Sequence, residues 1–141
     1  MKKILLIILG VITAGFLLVQ LVPYGQDHTN PPVIAEPQWD SPQTRAYFML
    51  ACGDCHSNET VWPWYSKIAP VSMLVYQDVI NGRRELNFSE YGEQNIDIEE
   101  ITREILDGYM PLPIYLTMHP EARLTDAERA KLVEGLQNSL P

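Results

Sequence analysis

Cys52-Gly53-Asp54-Cys55-His56 holds the only two cysteines of a 141-residue chain and one of its three histidines. Two thiols three positions apart match the spacing at which a polypeptide adds to the two vinyl groups of one haem, and a histidine directly after the second is then carried under the iron. Other chemistries use the same letters. A thioredoxin-like dithiol sits at the start of a helix that follows a strand, whereas this motif closes a helical pattern and no β-α pattern surrounds it. Structural zinc needs four nitrogen or sulfur ligands, and beyond the motif only His28 and His119 remain, at an unusual spacing. A multi-disulfide scaffold is excluded by the cysteine count. One covalently attached haem c, held by Cys52 and Cys55 with His56 as proximal iron ligand, is the expected cofactor.

A sixth ligand separates electron transfer from open-site ligand chemistry. Met110 stands in Gly108-Tyr109-Met110-Pro111, beyond a helix stop and on a proline-stiffened loop 54 residues after His56. A loop there presents a thioether without helical constraint, so Met110 is the expected distal ligand, against a reading as adaptable core filler. Met118 and His119, before Pro120, are the alternatives, and Met73 and His28 are weaker ones. Trp62, Trp64 and Tyr65 are expected to line the core or the porphyrin. Arg83 and Arg84 read as solvated helix-end charges, with a haem propionate as their other possible partner.

Around the motif the periodicity is helical throughout. A first helix starts at Asp40 or Ser41 with Pro42 in its first turn and runs through Tyr47, Phe48 and Leu50 into Cys52. A second follows Pro70, with Val71, Leu74, Val75 and Val79 at helical spacing and Asn81-Gly82 as a stop. A third covers residues 97–107, with Ile98, Ile101 and Ile105 on one stripe and Gly108 just past its end. A fourth starts at Thr125, pairs it with Glu128 in a capping box, and turns Leu132, Val133, Leu136 and Leu140 inward. No stretch alternates as a strand does. The fold class is all-α: a small helical domain of about 100 residues, residues 41–141, whose core is marginal without an added staple such as covalent haem.

Ahead of it, Lys2 and Lys3 precede an apolar run over residues 4–22, broken only by Gln20. As a helix this run spans about 29 Å, close to the hydrocarbon thickness of a bilayer, and it ends without a small-residue cleavage site. Residues 1–22 therefore read as an uncleaved signal anchor rather than a cleaved signal peptide, with the lysines inside and the remainder outside the cytoplasm, on the periplasmic side of the inner membrane. Residues 23–40, with Pro23, Pro31, Pro32 and Pro37, read as an extended tether of roughly 55 Å reach. Removing Lys2 and Lys3 from the ten basic residues leaves eight against 18 acidic ones, a formal −10 beyond the anchor. Such a charge repels nucleic acid and favours a redox partner with a basic docking surface.

At several stretches the chain resembles the bacterial haem-binding-domain family of anchored, cytochrome c-like proteins. They are residues 21–25, residues 27–32, the run CGDCHSNETVWPWY from Cys52 to Tyr65, residues 68–72, residues 86–90, Met110-Pro111 and residues 119–122. The likeness covers nearly the whole chain, and its central run is far longer than the general haem-attachment motif. It implies haem c and a cytochrome c-like helical fold. It brings no physiological reaction with it. Two departures stand out: Met73 occupies a position where the family often has Trp, and Leu112 one where it often has a second Pro. Single-electron transfer is the expected activity. The rivals are a haem-based sensor or peroxidase-like enzyme with an open distal site, and an interaction module in which haem is only a folding staple.

Overall fold

A computed structural model describes residues 1–140. Seven α-helices occur among them: α1 (Lys2–Val19), α2 (Pro42–Ala51), α3 (Gly53–His56), α4 (Val71–Glu85), α5 (Ile98–Leu106), α6 (Tyr115–Met118) and α7 (Asp126–Ser139), with 3₁₀ turns at Trp64–Lys67 and Pro120–Ala122. No strand forms among the described residues. A lone parallel bridge joins Ala35 and Glu90.

Local chemistry sets most boundaries. Ser41 caps α2 by accepting from the Thr44 amide, with Pro42 in the first turn. Asp97 caps α5 through the amides of Glu99 and Glu100. Thr125 and Glu128 close the capping box of α7 reciprocally. Gly108, at φ +78°, turns the chain back after α5, so that the Met110 amide donates to the Glu104 carbonyl at 3.0 Å. The core joins Phe48 and Ala51 of α2, Ile105 of α5 and Leu132, Val133 and Leu136 of α7 with Phe88, Leu124 and Leu140. Where α2 crosses α7, a side chain on Gly135 would overlap Thr44.

Helix α4 departs from expectation at both its end and its face. It runs on through Asn81-Gly82 to Glu85, because its packing against α3 demands a residue without a side chain at 82. It buries Ser72, Val79 and Arg83 and leaves Val71 and Leu74 exposed, so of the expected apolar stripe only Val79 is fully buried. Arg83, expected in solvent, is buried. It donates to the Ser57 carbonyl, Asn30 Oδ1 and Thr60 Oγ1 at 2.8–2.9 Å. Arg84 is the exposed member of the pair, next to Glu85.

The N-terminal helix α1 has no buried residue and is long and apolar enough to cross a membrane. It ends three residues short of the apolar run. Gln20 then turns onto the domain: its Nε2 donates to the Ala69 carbonyl at 2.9 Å, and its Oε1 accepts from the Ala69 amide at 3.0 Å. The following residues are extended, as their prolines require, but they do not form a free tether of 55 Å reach. Asn58 donates to the Pro32 carbonyl, and the amides of Ile34 and Ala35 donate to the Ser89 carbonyl. Trp39 packs on Phe48 and Phe88 at ring separations of 5.3 and 5.5 Å. Backbone polar groups and one large aromatic surface find their partners on the domain, which outweighs the freedom of a solvated chain.

One ion pair fastens that segment to α2. Glu36 accepts from Arg45 Nε at 2.8 Å and Nη2 at 2.6 Å and from Trp39 Nε1 at 2.7 Å, and Arg45 also reaches Glu59 at 2.7 Å. The Arg45 hydrogen bonds hold the Glu36 carboxyl down at about 2, against an ordinary 4.5. The stabilisation is therefore present above pH 4.5 and is lost as pH falls from there toward 2. Glu36→Gln is expected to cost about 1–2 kcal/mol at pH 7, the partial exposure of Arg45 having been allowed for. In urea unfolding it should also flatten the loss of stability between pH 4.5 and 2.

Candidate functional site

The two cysteines flank the start of a single helical turn. Helix α2 ends at Ala51, Cys52 caps it and begins α3, and Cys55 and His56 lie on that turn. The amides of Cys55 and His56 both donate to the Cys52 carbonyl, at 3.1 and 2.9 Å, which fixes the turn on which thiols and imidazole sit.

His56 is held by α4. Its Nδ1 lies 3.1 Å from the carbonyl oxygens of both Gly82 and Leu86, neither of which can donate, so Nδ1 carries the proton and Nε2 is the basic nitrogen. Burial lowers the pKa of His56, with the two carbonyls opposing, and the ring is held neutral. The backbone is clamped as well, since the Phe88 amide donates to the His56 carbonyl at 2.9 Å.

His56, Cys52, Cys55 and Met110 all line one cavity of about 450 Å³. Its walls are mostly apolar, including Phe48, Ala51, Leu86, Ile101, Ile105 and Leu136, and its size suits a cofactor. Met110 also lines a smaller adjoining pocket of about 250 Å³ together with Arg123 and Arg129. The main cavity is rimmed by Asp54, Asp78, Glu85, Asp97, Glu100 and Glu104, with no lysine or arginine among its lining residues. Burial pushes both thiols up to about 12, and at Cys55 the neighbouring Asp78 and Asp54 add to the effect. At neutral pH they are protonated thiols, unlike the thiolates that make a redox dithiol reactive.

The other candidates lie elsewhere. Met118 is exposed, and Met73 packs its backbone against Gly25. His119 Nε2 is 2.7 Å from the Tyr65 hydroxyl, its Nδ1 is 3.2 Å from Glu121, and its ring stacks on Tyr115 at 4.2 Å. Tyr115 in turn donates to Asp54 Oδ2 at 2.8 Å, inside the cysteine motif. His119 thus belongs to a polar brace between the loop after Met110 and the motif. His28, expected in solvent, sets its Nε2 3.0 Å from the Ser66 carbonyl and stacks on Trp62 at 4.5 Å. With both remaining histidines so engaged, neither joins the cysteines as a zinc site requires. Trp62, Trp64 and Tyr65 do not line the cavity. Trp64 is exposed, Trp62 donates to Asn30 and the Tyr65 hydroxyl meets His119. Sequence reasoning missed Gly82 and Tyr115 as site residues, since a helical Gly reads as a stop signal and Tyr115 lies 61 positions from Asp54.

The donor set fits the iron and vinyl groups of haem, with two neutral thiols for two vinyl groups, a neutral imidazole with a free Nε2, a thioether and apolar walls, while the lining residues of the main cavity offer the propionates no cation. A side chain at position 82 breaks this arrangement, because a Cβ there lies 2.5 Å from the Cys55 carbonyl oxygen. Gly→Ala inside an unconstrained helix gains about 1 kcal/mol. Gly82→Ala is expected to lose about 1–3 kcal/mol instead and to lower the haem content of the purified protein. Thermal unfolding and a pyridine haemochrome assay measure both.

Residues 14–138 match the sequence model of the haem-binding-domain family. No curated protein and no solved structure gives a significant match.

Proposed function

Because this chain belongs to the haem-binding-domain family, it binds haem, and we propose that it does so covalently, as a membrane-anchored mono-haem c-type cytochrome domain transferring single electrons between redox partners. The observation that carries this reading is the convergence of two thiols, a backbone-oriented imidazole and a thioether on one largely apolar cavity. Cys52 and Cys55 attach haem, His56 Nε2 is the proximal ligand and Met110 the distal one. Haem bound this way supplies a one-electron iron couple.

The protein's contribution is positional and electrostatic. The carbonyls of Gly82 and Leu86 fix the ring orientation of His56 and raise the basicity of Nε2. The Glu104 carbonyl, by accepting from the Met110 amide, pins the loop that presents the thioether. The apolar walls exclude water, which favours the less charged reduced state. Helix α1 is the anchor, with Lys2 and Lys3 on the cytoplasmic side and the haem domain on the periplasmic side of the inner membrane. The partner carries a basic docking surface, attracted by the six carboxylates that rim the cavity.

Met110→Ala tests the ligand set. It is expected to abolish the weak near-infrared sulfur–iron band of the oxidised protein, to admit CO to the reduced protein and to lower the potential, since His/Met ligation raises it. Met118→Ala and His119→Ala should leave the band in place. Its loss in Met118→Ala alone transfers the distal role to that residue. An unmutated protein that lacks the band and binds CO directly replaces electron transfer by open-site sensing or peroxide chemistry.

A further inference from the structure

Helix α1 does not lead into a free linker, and the place where it meets the domain has a distinct surface. The paired hydrogen bonds of Gln20 join the end of α1 to Ala69. Five residues on, Gly25 at φ +82° lies so close to the Ser72–Met73 backbone that a Cβ would come within 2.8 Å of it. Tyr24 packs edge-on against Tyr76 at 5.5 Å, and Gln26 donates to Ser72. The contact therefore runs along the loop before α4 and its first turns, and it admits no side chain at 25.

Large apolar side chains lie exposed within a turn or two of that contact. Trp64 is 72% exposed, Ile68 38%, Val71 42% and Leu74 56%. They alternate with the residues that hold α1 and its extension: Ile68 precedes Ala69, Val71 precedes Ser72, and Leu74 follows Met73. Charge singles out the same stretch. From Val61 to Gln77 there are 17 residues with no Asp or Glu and one exposed cation, Lys67, in a chain with 18 acidic residues. An acidic protein in which this apolar stretch contributes no carboxylate, Asp27 of the docked segment being an acidic neighbour, presents beside the exit of a membrane-length helix a surface that repels lipid headgroups little. Trp at its edge suits the boundary between water and hydrocarbon.

We propose that Trp64, Ile68, Val71 and Leu74 form a second membrane contact, seating the haem domain on the bilayer surface in a fixed orientation. The occupant is the interfacial layer of the same membrane that α1 spans, so the inference rests on the reading of α1 as an anchor. Gln20 and Gly25 set the orientation, because they leave no hinge between the spanning helix and the domain.

The full chain in phosphatidylethanolamine–phosphatidylglycerol nanodiscs, with haem bound, tests this by spin labelling. Leu74→Cys and Trp64→Cys, both at exposed positions, carry the label in turn, with Leu9→Cys as the lipid reference and Glu99→Cys on α5 as the water reference. The parent chain taken through the same labelling corrects for Cys52 and Cys55. Collisions with oxygen and with a water-soluble nickel complex report the environment. Labels at 74 and 64 are expected to show an oxygen-to-nickel ratio severalfold above that at 99, approaching the value at 9. If both match position 99 while position 9 stays in lipid, the seating is wrong and the anchor stands. A water-exposed label at position 9 overturns the anchor and the seating together.

Discussion

The imidazole of His56 can present only one nitrogen to the cavity if the other is tied down, and the rest of the domain is arranged around how that is done. A helix leaves its last carbonyls without intrahelical donors. At the C-terminal end of α4 the carbonyl of the capping residue Leu86 is such an oxygen, and together with the Gly82 carbonyl, which also accepts from the Leu86 amide, it meets Nδ1. For this the helix has to continue past Asn81 and also come within backbone distance of Cys55, and only glycine at 82 permits both. The chain leaving α4 then returns to bond the His56 carbonyl through Phe88, whose ring packs on Phe48 at 4.1 Å. One close approach thus fixes the imidazole, the cysteine turn and part of the core.

One residue further along α4, Arg83 reaches away from the site into a polar layer. It forms no ion pair among the described residues, and three neutral oxygens on two separate segments satisfy it instead. A buried guanidinium tolerates this only when its donors are well placed, so breaking any one bond is costly. Asn58, Asn87 and Ser89 continue the layer: Asn87 donates to Asn58, and Ser89 accepts from the Asn58 amide. These side chains replace a sheet's ladder for the extended segment before α2. That segment is therefore a wall of the fold, not a spacer.

Capping chemistry made two of the helices legible, and the Ile98, Ile101 and Ile105 stripe ending at Gly108 a third. Ser41-Pro42 and the Thr125–Glu128 box act within a few residues, so sequence contains the whole interaction. The cysteine motif was legible for the same reason, and the apolar run of α1 because length and composition suffice. What escaped was decided across the chain. Gly82 reads as a helix stop until Cys55 lies against it. Arg83 reads as a solvated charge until Asn30, 53 positions away, accepts from it. The prolines of residues 23–40 correctly imply extension, but extension carries no statement of whether a surface waits beside it. His119 was legible as a ligand type and not as a member of a brace, because Tyr65 and Tyr115 become its neighbours only in the fold.

The distribution of charge follows the same division of labour. Every charged residue that lines the main cavity is a carboxylate, whereas the stretch that receives the end of α1 has none. Net charge alone describes both faces as equally acidic. Burying His56 neutral, with the proton on Nδ1, lets a carboxylate rim surround the cavity without drawing an imidazolium into it. With the linker docked, the domain has little reach of its own, and under the proposed function a redox partner has to come to the acidic rim. Long-range attraction by that rim then does what a flexible tether would otherwise do, raising the encounter rate at a site whose position is fixed.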